Sequence, residues 1–274
     1  MAVLDFGPVE RAVDVVFLHA TGFNALTYRR VLAPLAGRYR ILAVDQRGHG
    51  ASSLSASLGE RADWLDYRDD LLAALEALDL SEVTISGHSM GGTVSLLAAA
   101  EAPGRVRRLV LFDPVIPPAE LRGAARSSPM VQAAARRRAE FPSRADALDS
   151  YRGRGAFKTW PEAMLADYVA AAFRDLPGGH VTLACDPAWE ASTYAGQGHD
   201  LAAALARSRC PIDFFKADLN STCHLGVLAD AAELGSRVHI ETVAGASHFL
   251  PMERPDVVQA ALRGAIANAP VGPG

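Results

Sequence analysis

The chain has 274 residues, 50% of them hydrophobic, and a formal net charge of −4. That length and apolar content can bury a large core of one domain plus an insertion, and the slight acidity gives no electrostatic reason to expect nucleic acid or an acidic membrane as a partner. No apolar run is long enough to cross a bilayer, Met1 to Phe6 lacks the basic and long apolar regions of a secretory signal, and Cys185, Cys210 and Cys223 show no C-x-x-C spacing, so the expectation is a cytoplasmic protein with reduced, buried thiols.

In chain order, the apolar stretch Val13 to Leu18 reads as a buried strand and runs into the small-residue turn His19-Ala20-Thr21-Gly22-Phe23, which can present a free backbone N–H. Arg40 to Val44 reads as the next strand, followed by Asp45-Gln46-Arg47-Gly48-His49-Gly50, whose polar side chains are expected to brace their own loop. Trp64 to Leu78 is amphipathic, with Leu65, Leu72, Leu75 and Leu78 near one face. Val83 to Ser86 is a strand, Val94 to Ala100 helical, and Val106 to Phe112 a further buried strand that delivers Asp113-Pro114. From Pro117 to Arg207 the alternation breaks into an alanine- and arginine-rich stretch read as helical, interrupted by Gly153, Gly155, Pro161 and Pro177-Gly178-Gly179. Strands return at Ile212 to Lys216 and Val238 to Val243, the latter leaving through Gly245-Ala246-Ser247-His248-Phe249, and Ala269 to Gly274 is expected to fray.

This alternation predicts an α/β protein with a mostly parallel sheet covered by helices on both faces. Residues 1–116 and 208–274 form the expected core domain, and 117–207 a helical cap inserted between two strands of the same sheet. A cap so placed lies over the strand ends, lines a pocket and excludes water.

Gly87-His88-Ser89-Met90-Gly91-Gly92 puts a serine on the turn between strand and helix. The backbones before and after so sharp a turn nearly touch, and Gly87 and Gly91, two residues to either side of Ser89, supply the small neighbours this requires. Ser89 Oγ then stands at the positive end of the following helix, where an oxyanion is favoured. His248, on a loop leaving a late strand, is a candidate base. His180, His199, His224 and His239 show no metal-ligand spacing and no H-E-x-x-H or cysteine cluster accompanies them, so no metal site is expected.

Taken together, H-A-T-G-F at 19–23, D-Q-R-G-H-G at 45–50, G-H-S-M-G-G at 87–92 and G-A-S-H-F at 245–249 resemble the α/β-hydrolase fold superfamily, in particular its one-domain members with a helical cap. The resemblance runs from about Val13 to Ala267 and implies Ser89 as nucleophile, His248 as base, and an oxyanion hole made by the N–H of Met90 and, from the first loop, Thr21. Ala20 departs from the glycine commoner there. The third triad member is ambiguous. Relatives usually carry the acid after the strand that follows the cap, where this chain has Asn220 or Ser221, with Asp218 close by. The other location known in the superfamily is the end of the strand before the cap, which here is Asp113. Asp113 is preferred, with Asp218 the alternative.

The resemblance implies a serine hydrolase of carboxylic esters that works through an acyl-enzyme and needs no cofactor, acting as monomer or homodimer on a small-molecule ester. Hydrolysis of carbon–carbon bonds in ring-cleavage diketones is the first alternative, and lactonase, thioesterase, perhydrolase and lyase activities also stay open. An alternative of another class is a ligand-sensing protein that keeps the fold mainly to bind. Phe23, His88, Trp189 and Tyr194 are the candidate substrate contacts, although His88 sits on the elbow itself and points away from Oγ. Arg136-Arg137-Arg138 is either a dock for an acidic substrate tail or a solvated helix face, and Glu190 has no assignable role.

Overall fold

The computed structural model describes residues 1–57, 61–118, 128–227 and 235–267. The chain opens with an edge strand, β1 (Ala2–Phe6), and continues through β2 (Val15–Leu18), the short α1 (Arg29–Leu32), β3 (Ile41–Asp45), α2 (Leu65–Ala77), β4 (Val83–His88), α3 (Met90–Glu101) and β5 (Val106–Phe112). After the insertion come β9 (Ile212–Leu219), β10 (Val238–Ser247), α9 (Leu250–Glu253) and α10 (Pro255–Ala267). The seven strands of the main sheet lie in the order β1-β3-β2-β4-β5-β9-β10, all parallel except β1, which runs antiparallel to β3.

Every residue of β2, β3 and β4 is buried, as expected of parallel strands covered on both faces. Successive side chains point to opposite faces: Val15 and Phe17 join one core with Ile41, Val258 and Leu262, while Val16 and Leu18 join another with Val44, Leu71 and Val94. α3 is buried along residues 90–100, because it packs on β2, β4 and β5 and is flanked by α2 and the later helix at residues 201–207.

Between β5 and β9 the chain forms α4 (Pro129–Ala135), β6 (Glu140–Phe141), α5 (Arg144–Tyr151), α6 (Glu162–Ala172), β7 (Phe173–Asp175), β8 (Val181–Leu183), α7 (Pro187–Ala195) and α8 (Leu201–Arg207). Side chains of Ser128, Ser143, Asp186 and Asp200 cap the starts of α4, α5, α7 and α8 by accepting backbone N–H bonds. The insertion is not wholly helical. β6, β8 and β7 make a three-stranded antiparallel sheet, and Pro177-Gly178-Gly179, with both glycines at positive φ, turns β7 back into β8. α8 packs on α3, with Leu201, Ala204 and Leu205 in the second core, so by packing it goes with the sheet, although the sequence puts it inside the cap. Residues 119–127 of the expected cap and the expected fraying of 269–274 lie outside the described residues. All three cysteines are buried and unpaired. No helix among the described residues is long and apolar enough to cross a membrane.

Candidate active site

The turn from β4 into α3 is as tight as its glycines imply. A Cβ at Gly87 would lie 2.4 Å from the carbonyl carbon of Gly91, and one at Gly91 would lie 2.4 Å from the carbonyl oxygen of Leu18. Ser89 between them is held at φ 56°, a left-handed conformation that costs a non-glycine residue about 1–3 kcal/mol and persists only where its surroundings impose it. Its N–H donates to the carbonyl of Phe112 at 3.0 Å, which pins the elbow to the end of β5.

His248 meets it from the end of β10. Its Nε2 lies 3.0 Å from Ser89 Oγ and its Nδ1 2.7 Å from Asp113 Oδ2. With Nδ1–H donating to the carboxylate, the Nε2 lone pair faces the serine hydroxyl, the tautomer a base requires. Asp113 is fully buried and at φ 41° just past β5, and its carboxylate also accepts the Ser221 hydroxyl at 2.5 Å and the N–H groups of Ala217 and Thr222 at 2.8 and 2.9 Å. Burial alone would raise its pKa, but these donors and the imidazole outweigh it and hold the carboxyl well below the usual range. Asp218 is elsewhere: exposed, it accepts the Gly245 N–H at 3.0 Å and serves the loop that carries His248, without touching the imidazole. Ser221, one of the two positions where the commoner layout would carry its acid, is a donor to Asp113.

The loop after β2 is fixed amide by amide. The Ala20 N–H donates to Tyr28 Oη at 3.1 Å, the Gly22 N–H to His49 Nε2 at 3.0 Å, and the Phe23 N–H to the Ala20 carbonyl at 3.1 Å. Thr21 is the residue of this turn whose N–H has no such partner among the described residues, and it lines the same cavity as Ser89. Met90 opens α3, where the first amides have no intrahelical acceptor.

Three buried histidines hold this arrangement from behind. His19 Nδ1 donates to the Ala20 carbonyl at 2.8 Å and its Nε2 accepts the Gln46 N–H at 3.0 Å, while His49 Nδ1 donates to the Arg47 carbonyl at 2.9 Å. His88 Nε2 donates to the carbonyl of His248 at 2.7 Å, so its Nδ1 accepts the Tyr28 hydroxyl at 2.7 Å. Burial pushes His19 down to about 4 and, helped by a neighbouring imidazole in each case, His49 and His88 to about 3. All three are neutral near pH 7. His88, a candidate substrate contact in the sequence, is buried and does not line the cavity that holds Ser89. It links the base loop to the first loop through Tyr28, a residue that no motif in the sequence singles out.

Phe23 and Tyr194 line the cavity above Ser89, which has a volume of about 990 Å³ and a chiefly apolar wall. Trp189 does not line it. Its indole N–H donates to the Arg47 carbonyl at 3.2 Å and its ring fills the space above Gly48, where a Cβ would meet Nε1 at 2.2 Å, so it anchors α7 to the loop after β3. Buried Glu190 and half-buried Arg137 form a pair in the cavity wall, Nη1 lying 3.0 Å from Oε2. Among the described residues no group of three or more His, Cys, Asp or Glu side chains is placed to hold a metal ion.

The model of the alpha/beta hydrolase family matches residues 15–261. The chain belongs to that family. A 2-(acetamidomethylene)succinate hydrolase of Mesorhizobium japonicum is 25% identical over 248 residues, covering 90% of this chain and 86% of that one. The crystal structure of E-2-(acetamidomethylene)succinate hydrolase superposes with a TM-score of 0.80 at 24% identity, covering 97% of this chain and 94% of the other. A thioesterase domain from the curacin biosynthetic pathway gives a TM-score of 0.77 at 19% identity, with 95% and 94% covered. At these identities the two structures share the fold with this alpha/beta hydrolase.

Proposed function

We propose that this alpha/beta hydrolase is a cytoplasmic serine hydrolase that cleaves carboxylic esters of small molecules through an acyl-enzyme. The observation that carries the reading is the line Ser89 Oγ, His248, Asp113, with separations of 3.0 and 2.7 Å, beneath an apolar cavity. His248 Nε2 takes the Ser89 proton as Oγ attacks the ester carbonyl, and the imidazolium so formed is stabilised by Asp113. The N–H groups of Met90 and Thr21 receive the negative charge on the tetrahedral oxygen. Collapse breaks the bond to the alcohol, which leaves with the proton from His248. Water then gives a proton to the same nitrogen, attacks the acyl carbon and returns Ser89 with release of the acid. None of these steps calls on a cofactor.

The experiment has two arms. A fluorophosphonate should label Ser89, and Ser89→Ala should lose about three to six orders of magnitude in turnover with its circular dichroism unchanged. A panel of p-nitrophenyl esters of increasing chain length, with a thioester and a ring-cleavage dienoate beside them, then ranks the chemistry. Turnover of the dienoate alone would replace ester hydrolysis by carbon–carbon hydrolysis. A single turnover followed by retained product would point to a ligand sensor, and labelling away from Ser89 would remove the serine mechanism.

A further inference from the structure

Arg137 and Glu190 are the charged groups of the cavity wall that the proposed mechanism does not use, apart from Arg154, which is exposed. The Glu190 side chain is 7% exposed and that of Arg137 20%. Burying such a pair costs more desolvation than packing apolar side chains of the same volume, so its presence in an apolar cavity is informative. Its location is specific. Glu190 Oε1 lies against Gly22, where a Cβ would meet it at 2.3 Å, one residue along from the Thr21 amide. Arg137 is oriented from behind by the hydroxyls of Tyr168 at 2.5 Å and Tyr151 at 3.4 Å, both on Nη2, and spans Glu190 with Nη1.

A guanidinium without a counter-charge at this place would select an anion. Here the carboxylate of Glu190 already cancels it, and a second carboxylate approaching Arg137 would face Glu190 at close range. What remains is a neutral site with donor and acceptor side by side: guanidinium N–H groups and a carboxylate with lone pairs beyond those Arg137 occupies. Resting on the serine-hydrolase reading, we infer that the Arg137–Glu190 pair is a specificity site for an uncharged substrate substituent that both donates and accepts hydrogen bonds, such as an amide or hydroxyl, a few bonds from the scissile carbonyl. The apolar walls take the rest of the molecule. A substrate lacking the substituent covers the pair's remaining hydrogen-bonding positions without replacing the water it displaces, and sites that pair a substrate polar group discriminate strongly.

The test is a set of p-nitrophenyl esters with acyl chains of equal length that carry, beyond the carbonyl, only methylenes, a secondary amide, a hydroxyl or a terminal carboxylate. Wild type should favour the amide or hydroxyl member over the methylene one by about tenfold or more in kcat/KM, and place the carboxylate member last. In Glu190→Gln, which leaves the charge of Arg137 uncompensated, the carboxylate member should gain about tenfold or more relative to the amide. A methylene member as good as the amide in wild type overturns the inference, as does an unchanged carboxylate-to-amide ratio in the variant. If Glu190→Gln does not fold, the wild-type series decides alone. Fluorophosphonate labelling separates the two levels: Ser89 labelled with a flat series removes only this site, whereas Ser89 unlabelled removes the hydrolase reading and this site with it.

Discussion

Asp113 adopts φ 41°, a conformation that a short polar side chain tolerates better than most, and this backbone turn delivers its carboxylate to His248. The end of β9 and the segment after it complete the site by contributing donors to Asp113, Ser221 and the amides of Ala217 and Thr222, and place no second carboxylate on His248. Exchange of the carboxylate for an amide at position 113 preserves shape but removes the charge that stabilises the imidazolium. Asp113→Asn is therefore expected to lower kcat by about ten-thousandfold. Asp218→Asn keeps an oxygen that can accept the Gly245 N–H on an exposed loop and loses only the charge, so it should cost about tenfold at most. Steady-state kinetics on one activated ester compares the two, and the reverse order would move the acid to Asp218. Ser89 and His248 are legible as candidates because each sits in a short motif at the end of a recognisable strand, whereas Asp113, at the end of β5, is preferred in the sequence with Asp218 left open. Tyr28 and the Arg137–Glu190 pair are not legible, since their partners lie far off in sequence, as with Tyr28 and His88, 60 residues apart. A tyrosine within a polar stretch carries no signal of a distant acceptor.

Elements were readable where burial is two-sided. β2, β3, β4 and β5 announce themselves as apolar runs, whereas β1, with alternating half-buried and exposed residues and Asp5 as its next-to-last residue, resembles a polar terminus and goes unrecognised. In α2 the buried stripe is Tyr67, Leu71 and Leu75, a clean i, i+4, i+8 series. Leu78, assigned to the buried face on leucine spacing alone, is 50% exposed. Counting leucines and passing over the aromatic shifted the phase. The sheet within the insertion escaped notice because β6, β7 and β8 have two or three residues each, too few to display a period of two. Glycines show how much the element decides. Gly264 lies exposed within α10, and a Cβ added there meets nothing within 4 Å, so Gly264→Ala should stabilise by about 0.5–1 kcal/mol through lower chain entropy in the unfolded state. Gly91→Ala puts a methyl 2.4 Å from a backbone oxygen of β2, and a clash with backbone cannot relax cheaply. Urea midpoints should rise for the first variant and fall steeply for the second, and a Gly91→Ala midpoint equal to wild type would contradict the packing at the elbow.

At the scale of the whole molecule, the catalytic loops rest on imidazoles that must stay neutral. His19, His49 and His88 each use one ring nitrogen as acceptor, for the Gln46 N–H, the Gly22 N–H and the Tyr28 hydroxyl respectively, and protonation would set a donor against the first two and force the Tyr28 hydroxyl to turn from donor to acceptor. Their folded-state values lie at about 4, 3 and 3, below the 6.5 of a free imidazole. The unfolded chain therefore takes up protons as pH falls through 6.5 while the folded protein does not, and the difference in bound protons favours unfolding. Stability from this source is fully present above pH 6.5 and is lost progressively toward pH 4, at up to about 1.4 kcal/mol per pH unit for each histidine and about 4 kcal/mol per unit for the three together. Asp113 adds to the loss only lower down, because its depressed value matters below the 3.8 of a free carboxyl. Urea unfolding at pH 7.5, 6.0 and 5.0 measures the effect directly, and the unfolding free energy should drop steeply between the last two. His49→Gln keeps a polar group but removes one titration, so its profile across the same interval should be shallower by about a third of the wild-type slope, even if the variant is less stable at pH 7.5. A wild-type free energy that stayed level from pH 7.5 to 5.0 would mean that these imidazoles are reached by solvent and protonated without breaking the loops they hold.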